Sequence, residues 1–393
     1  MPMSKLDLVY LDHNATTPVA PEILASLSSY AQAWGNPSSI HAGGRDPKQM
    51  LRETRRDLAA HLNCSPLELI FTSGGSESNN TVLRALWSKL GSQRNQFICS
   101  TVEHPSLMKA MEWLAEQGAQ VDFVPVDRKG QLDLETYRSL LSEKTALVSI
   151  MTANNETGTL FPIRELAEMA HAVGALFHTD AVQMLGKLPL DLKALNVDYA
   201  SFSAHKVYSL KGTGALYVKK NAPYESLIRG GGQERHRRGG TENTLGIAAF
   251  GEAIRLLSGL SMEASRLREL RDYFEARVLE EIPESSVTAF ETERLPGTSS
   301  LILAGVDGET MLMSLDLKGF AVSTGAACSS GNPEPSPVLL AIGLSRGEAQ
   351  NSLRVSFGRE NTREQVDAFV EALKSVVIRL RQISKETEGV CRA

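Results

Sequence analysis

Short apolar runs alternate with amphipathic stretches from about residue 68 to residue 220. The apolar runs read LELIFTS, QFICSTV, VDFVPVD, ALVSIMTA, ALFHTDA, VDYASFSA and GALYVKK. Amphipathic stretches such as LMKAMEWLAEQG and IRELAEMAHAVG, typical of surface helices, lie between several of them. This alternation predicts an α/β fold with a mostly parallel sheet flanked by helices. The last run follows its predecessor after a short glycine-rich turn, which predicts one antiparallel pairing.

The pattern changes after about residue 258. MEASRLRELRDYFEARVLEEI predicts a long helix with apolar residues at 267, 270, 274, 278 and 282, and strand-like SSLILAGV, GFAVSTGAA and SLRVSFG follow. A final helix is predicted to start at Thr362, with Gln365 completing a capping box. The face of that helix carries Val366, Phe369, Val370, Leu373, Val376, Val377 and Leu380. We therefore expect a large domain over 15–258 and a smaller α+β domain formed by 1–14 and 259–393.

Composition narrows the class of protein. The 393 residues are 42% hydrophobic with a net charge of −5, which favours neither nucleic acid nor a membrane surface as partner. No apolar run approaches the ~20 residues that span a bilayer, and the N-terminus lacks a signal-peptide stretch. The four cysteines, at 64, 99, 328 and 391, are far apart and form no CxxC pair. We expect reduced thiols in a cytoplasmic protein.

A strand-to-helix turn offers a first candidate for binding chemistry. In LIFTSGGSESNNTVLRAL, Gly75 and the Ser76 hydroxyl lie where free N–H groups of a helix start would face outward. Such a helix start attracts anions, including phosphate. The alternative is an ordinary turn in which Ser76 caps the helix.

An acid and an amine each follow an apolar strand. A carboxylate such as Asp180 at the end of ALFHTD needs a cationic or donor partner, since burying it unpaired costs several kcal/mol. A protonated pyridine nitrogen, a protein Arg or Lys, and a metal shared with His178 are the alternatives. Lys206, in SAHK, would have a lowered pKa if desolvated and could act as an amine nucleophile. It could equally be a surface lysine.

Two loops add candidates. Cys328 lies in STGAACSSGNPEPSP, among small residues and before glycines and prolines, which predicts an exposed thiol in a mobile segment. The alternative is an incidental loop cysteine. The segment LIRGGGQERHRRGGTENT brings Thr241 next to glycines and arginines. This segment could bind phosphate or form a solvated loop. The absence of interleaved aromatic residues argues against nucleic-acid binding.

Taken together and in this order, the motifs resemble the cysteine desulfurases of the NifS/IscS type. These are class-V aminotransferases within the fold-type I pyridoxal-phosphate enzymes. The resemblance runs from YLDHNATTP at residue 10 to LRQIS at about 384. Its most specific stretches are WGNPSS, TSGGSES, EHP, ANNETG, HTDAVQ, SAHK, RRGGTEN and the cysteine loop. ANNETGTLFPI and QERHRRGGTEN are more similar to the nitrogen-fixation (NifS) branch than to the housekeeping branch.

The resemblance implies a seven-stranded sheet, pyridoxal 5'-phosphate as cofactor, and a role for each matching residue. Lys206 would bind the cofactor covalently and Cys328 would carry the sulfur as a persulfide. Arg354 would hold the substrate carboxylate in a bidentate fork. The other implied contacts are Asp180 at the pyridine nitrogen, Gln183 at the ring's 3-oxygen, His104 over the ring, Asn155 beside cofactor and substrate, and Gly75, Ser76, Ser203, His205 and, across a dimer, Thr241 at the phosphate.

The implied reaction converts L-cysteine to L-alanine in a homodimer and passes the sulfur to an iron–sulfur scaffold protein, with nitrogenase clusters as one destination. Selenocysteine lyase and aminotransferase activities share this scaffold and stay open, as does a non-enzymatic carrier that only displays Cys328. One departure from the family pattern follows Lys206. Ser209-Leu210 replaces the usual Gly-Pro, which leaves the conformation of that loop open.

Overall fold

A computed structural model describes residues 8–324 and 334–391. The strands in this part of the chain are β1 (Val9–Tyr10), β2 (Leu69–Thr72), β3 (Gln96–Ser100), β4 (Gln120–Val124), β5 (Thr145–Ser149), β6 (Leu176–Asp180), β7 (Tyr199–Ser203), β8 (Gly214–Val218), β9 (Ser285–Val287), β10 (Thr298–Leu303), β11 (Phe320–Ala321) and β12 (Ser352–Ser356).

The helices of the same ranges are α1 (Pro21–Gln32), α2 (Arg45–His61), α3 (Gly75–Leu90), α4 (Pro105–Glu116), α5 (Leu134–Leu140), α6 (Ile163–Ala172), α7 (Leu192–Leu195), α8 (Thr244–Arg255), α9 (Leu260–Glu281), α10 (Gly308–Asp316), α11 (Pro337–Ala341), α12 (Arg346–Gln350) and α13 (Arg363–Cys391). Short 3₁₀ turns lie at Ala42–Gly44, Pro66–Glu68, Ala204–Lys206 and Gln233–His236.

The seven apolar runs of the first part of the chain form one sheet, as predicted. Its strand order is β2-β8-β7-β6-β5-β3-β4. Strands β3 to β7 pair in parallel where they are neighbours, whereas β8 is antiparallel to both β2 and β7. The α/β fold with a mostly parallel sheet is therefore confirmed. The single antiparallel pairing expected for GALYVKK is in fact two, because that strand lies between two neighbours.

Alternate residues of the sheet pack into two separate helical layers. Ile98 belongs to a core shared with helices α2, α6 and α8, whereas Phe97 and Cys99 belong to a core shared with α3 and α4. Successive side chains of a strand point to opposite faces, and both faces of a parallel sheet are usually covered. The near-continuous apolar runs in the sequence follow from this double burial.

A smaller assembly of strands packs around a third core. It contains the antiparallel sheet β12-β10-β9 and the parallel pair β1-β11. The predicted apolar face of α9 is buried in this core, at Leu267, Leu270, Phe274, Val278 and Ile282. The predicted face of α13 joins it, with Leu380 partly buried at its edge. The division of the chain into domains at residues 14 and 258 stays a prediction.

The capping box of the last helix is confirmed. The Gln365 backbone N–H donates to Thr362 Oγ1 and the Thr362 N–H donates to Gln365 Oε1, both at 3.3 Å. These bonds satisfy N–H groups that the helix itself leaves without acceptors. Of the strand predicted over GFAVSTGAA, the structure describes the residues up to 324. Within them the strand covers Phe320–Ala321, and Ser323 adds an isolated bridge to Arg354.

Over the described residues, no single helix is long and apolar enough to cross a membrane; α8 and α9 pass that test only as a pair bent by 80°.

Candidate active site

A cavity of ≈ 310 Å³ lies at the carboxyl ends of the parallel strands. Residues that are far apart in sequence line it together because each follows the end of a strand or opens the next helix. Parallel sheets usually bind ligands at this edge. The predicted site residues that line the cavity are Gly75, Ser76, His104, Asn155, Asp180, Gln183, Ser203, His205 and Lys206. The structure thus brings these nine residues to one place, while the role of each stays a prediction.

The N-terminus of α3 forms one wall of the cavity. The helix begins at Gly75, and its N-cap is Gly74, which makes no side-chain capping bond. The interpretation of Ser76 as a helix cap is therefore wrong, and its hydroxyl faces the cavity instead. A Cβ on Gly75 would lie 2.7 Å from Val182 Cγ2, so a larger residue would not fit there. Together with the helix dipole, this wall suits an anion.

Asp180 ends strand β6 with a buried carboxylate, 7% exposed. Its Oδ2 accepts a bond from Asn79 Nδ2 at 2.8 Å and its Oδ1 accepts one from the Val182 N–H at 3.0 Å. Among the residues that the structure describes, both partners are neutral, and the salt bridge to a protein Arg or Lys is not found. A buried carboxylate bonded only to neutral donors is suited to a cationic ligand.

The Lys206 amine reaches the same cavity from a 3₁₀ turn after β7. Its Nζ donates to the carbonyl of Asn14 and, at 2.7 Å, to the carbonyl of Ala15. Burial and the charge of Arg354 lower the pKa of Lys206 to about 8, against the raising influence of Asp12 and Asp180. A pKa of about 8 leaves roughly a tenth of the amine unprotonated at pH 7. This lowered pKa favours the nucleophilic role expected of Lys206, which stays a prediction.

Three histidines near the cavity are held by hydrogen bonds. His104 is the N-cap of α4, and its Nδ1 accepts from the Ser106 N–H at 3.1 Å. Burial lowers the pKa of His104, and that of His205 to about 4. Both ring nitrogens of His178 bond to serines, Ser149 at 2.7 Å and Ser201 at 2.9 Å, so the ring is engaged without a metal.

Arg354 lies beside the cavity, on β12. Its Nη1 donates to the Asn155 carbonyl at 3.1 Å and its Nη2 donates to Asp12 Oδ1 at 2.8 Å. Its Nε is buried and has no hydrogen-bond partner among the described residues. The backbone of Arg354 also pairs with Ser323, whose carbonyl accepts its N–H at 2.6 Å. Asp12 thus occupies part of the guanidinium fork that we expect to hold a substrate carboxylate. That role of Arg354 stays a prediction.

The remaining two predicted residues are Thr241 and Cys328. Thr241 is exposed in the single chain and does not belong to the described residues that line the cavity. Cys328 lies outside the described residues. The described segment that leads towards it reaches Ser323, directly beside the Arg354 backbone.

Asn14 is a central polar residue that the sequence reasoning missed. Its backbone carbonyl accepts from Lys206 Nζ and from Gln183 Nε2, the latter at 3.0 Å. Its Nδ2 donates to the Asn155 carbonyl and to Thr298 Oγ1, each at 3.0 Å. Asn14 belongs to the quoted stretch YLDHNATTP, but no spacing rule distinguishes it there. Its importance becomes visible only through partners more than a hundred residues away.

The loop after Lys206 is fixed by Tyr208. This residue has φ +64°, its N–H donates to Thr17 Oγ1 at 2.7 Å, and its hydroxyl accepts from the Arg359 N–H at 2.9 Å. The Arg359 guanidinium lies 4.5 Å from the centre of the Tyr208 ring. The sequence left the conformation of the loop at Ser209-Leu210 open. In the structure, the bonds of Tyr208 to Thr17 and Arg359 fix the start of that loop.

The fold and the cavity are those of an α/β transferase. The cavity brings together a helix N-terminus, a buried carboxylate and a lysine amine whose pKa is lowered. The aminotransferase class-V family model matches residues 9–369. The chain belongs to that family of pyridoxal-phosphate-dependent enzymes, and within it to the cysteine desulfurases of the NifS/IscS type.

Individual relatives agree with this assignment. A cysteine desulfurase of Gluconacetobacter diazotrophicus is 43% identical over 99% of this chain and 98% of its own length. The cysteine desulfurase NifS of Azotobacter vinelandii is 41% identical over 97% of this chain and 95% of its own length. A solved structure described as a NifS-like protein superposes with a TM-score of 0.88 at 35% identity, covering 94% of this chain and 99% of the other.

Proposed function

We propose that this protein is a pyridoxal-phosphate-dependent cysteine desulfurase that converts L-cysteine to L-alanine and delivers the sulfur as a persulfide on Cys328. The observation that carries the proposal is the convergence in one cavity of the Lys206 amine, the Asp180 carboxylate and the N-terminus of α3. The names of the relatives, cysteine desulfurases, supply the substrate.

The residues of the cavity fit the cofactor. The first turn of α3, with Ser76, Ser203 and His205 around it, would hold the phosphate. Asp180, which is buried and bonded only to neutral donors among the described residues, would bond a protonated pyridine nitrogen. Gln183 would donate to the ring oxygen, while His104 and Asn155 would flank the ring. When bound, the cofactor supplies an electron sink for bond breaking next to the substrate's amine-bearing carbon.

The chain's own groups would then move the protons. The Lys206 amine would take the proton from the substrate Cα, which its lowered pKa of about 8 favours near neutral pH. His104, whose pKa is lowered by burial, is placed to help return a proton. Arg354 would hold the substrate carboxylate. For this, the substrate carboxylate would replace Asp12 as a partner of the guanidinium.

The sulfur would be taken up by Cys328. Its thiolate attacks the substrate sulfur, an S–S bond forms, and the S–Cβ bond breaks with the electron pair staying on Cβ. Cβ then accepts a proton and becomes the methyl group of alanine. The cysteine loop would have to reach the cavity and afterwards present the persulfide to an acceptor.

We further infer a homodimer in which Thr241 of each chain completes the phosphate seat of the other. The exposure of Trp34, at 84%, and of Ile40, at 99%, in the motif WGNPSSI supports an apolar subunit contact. An iron–sulfur scaffold protein is our proposed sulfur acceptor, with nitrogenase clusters as one destination. A cytoplasmic location agrees with the unpaired thiols of Cys64 and Cys99.

The decisive experiment measures visible absorbance, alanine and sulfide together after adding cysteine to the purified protein. We expect a coloured protein that forms alanine and sulfide, not pyruvate. Cys328→Ala should keep the colour and lose sulfide release, whereas Cys64→Ala, the matched control, should keep both. Lys206→Ala should lose the covalent attachment that gives the colour. Sulfide release by Cys328→Ala at the wild-type rate would refute the proposed role of that thiol.

A further inference from the structure

A second lysine, Lys187, lies next to the candidate cofactor site. Its Nζ donates to Asn14 Oδ1 at 2.6 Å and to Gln183 Oε1 at 2.7 Å. Asn14 also receives the Lys206 amine on its backbone carbonyl. The Lys187 and Lys206 amines therefore both donate to Asn14, Lys187 to the side-chain oxygen and Lys206 to the backbone oxygen.

Lys187 does not touch the cofactor cavity. It lines a separate cavity of ≈ 220 Å³, which it shares with Lys206, whereas the described lining of the 310 Å³ cavity includes Gln183 and not Lys187. Lys187 can therefore affect a bound cofactor only through the residues that it hydrogen-bonds, Asn14 and Gln183. This separates it from the catalytic residues proposed above.

Lys187 and the Asn14 carbonyl together determine which way the Gln183 side-chain amide faces, and Lys187 is the donor to its oxygen. An amide oxygen and nitrogen exchange places when the group flips by 180°, so neighbouring donors and acceptors decide its orientation. Lys187 donates to the oxygen, and the Asn14 carbonyl accepts from the nitrogen at 3.0 Å. The remaining N–H of Gln183 is then available to a ligand in the cavity that Gln183 lines.

We propose that Lys187 is a positioning residue that locks the Gln183 amide with its N–H group towards the ring oxygen of the bound cofactor. This inference rests on the proposed function, because it assumes that the cavity takes pyridoxal phosphate. Without Lys187, Gln183 Oε1 and Asn14 Oδ1 both lose a donor. The amide can then flip and present its oxygen to an anionic ring oxygen, which repels it.

The surroundings of Lys187 agree with this role. Burial and the nearby charges of Lys206 and Arg354 hold the pKa of Lys187 well below its usual range, while Asp12 raises it. A primary amine keeps at least two N–H groups in either protonation state, which suffices for its two amide acceptors. Lys187 can therefore hold the Gln183 amide in this orientation whether or not its amine is protonated.

The test compares apoenzymes reconstituted with pyridoxal 5'-phosphate. We expect Lys187→Met to weaken cofactor affinity about tenfold, as when one hydrogen bond to a charged group is lost. The pH midpoint of the bound cofactor's visible spectrum should rise, since a ring oxygen without its donor becomes more basic. Lys187→Arg keeps donors and should recover part of both effects. Lys193→Met, which removes an exposed ammonium six residues away, should change neither.

A double-mutant cycle shows whether Lys187 acts through Gln183. In a Gln183→Ala background, Lys187→Met should weaken cofactor affinity by less than about twofold, because the amide to be locked is gone. An undiminished tenfold loss there, or an unchanged affinity and spectrum in Lys187→Met itself, overturns the inference. If Lys187→Met does not fold, Lys187→Gln replaces it in the same cycle. Failure of the wild-type apoenzyme to bind the cofactor would instead refute the proposed function.

Discussion

The rate at which Lys206 reacts with the cofactor aldehyde should depend on pH, and the charged residues around Lys206 should determine the pH midpoint. Only the unprotonated amine reacts, and the pKa of Lys206 is lowered to about 8 by burial and by Arg354. The rate of cofactor capture by the apoenzyme should therefore rise about tenfold per pH unit below pH 8 and level off above it. An ordinary lysine, with a pKa of about 10.4, would keep rising for two further units.

Two substitutions should move this profile in opposite directions. Arg354→Gln removes a positive charge that lowers the pKa of Lys206, so that pKa should rise. Asp12→Asn removes a negative charge that raises it, so the pKa should fall. A rise of about one unit would lower the free amine at pH 7 from roughly a tenth to roughly a hundredth. Capture by Arg354→Gln should then be about tenfold slower at pH 7 and unchanged at pH 10.

The assay is stopped-flow absorbance of apoenzyme mixed with pyridoxal 5'-phosphate across pH 6 to 10. Using the apoenzyme without cysteine separates the amine from substrate binding, in which Arg354 has its own proposed role. A wild-type rate that still rises tenfold per unit above pH 9 would contradict the lowered pKa. Equal midpoints for both variants and wild type would contradict the electrostatic cause.

Two further predictions concern stability. His236 is exposed at φ +64°, in the left-handed region, so His236→Gly should raise the free energy of unfolding by about 1 kcal/mol, measured from urea midpoints. Arg294 and Glu275 form a buried two-bond ion pair at 2.7 and 2.8 Å, so Arg294→Leu should cost about 3–5 kcal/mol. Arg164→Leu, which breaks an exposed pair, should cost less than about 1 kcal/mol; equal losses would refute the burial argument.

The sequence by itself determined the elements and the faces that they bury. Apolar runs between turn signals identified all seven strands of the main sheet. Six of them are apolar because they are covered on both faces, whereas the edge strand β4 is largely exposed or half-buried. Helical periodicity identified the buried faces of α9 and α13, since each helix meets one core along one stripe. Asp180 and Lys206 were found because each follows an apolar strand, where a charged group needs a partner or a function.

Only the tertiary structure decided how those elements contact one another. The place of β8 between β2 and β7, the bond from Asp12 to Arg354, and the meeting of Lys187 and Lys206 on Asn14 depend on chain segments brought together from far apart. Local periodicity carries no information about such pairs, because it reports only which side of an element is buried. The alternative of Ser76 as a helix cap was wrong for the same reason, since Ser76 lines a cavity that distant segments build.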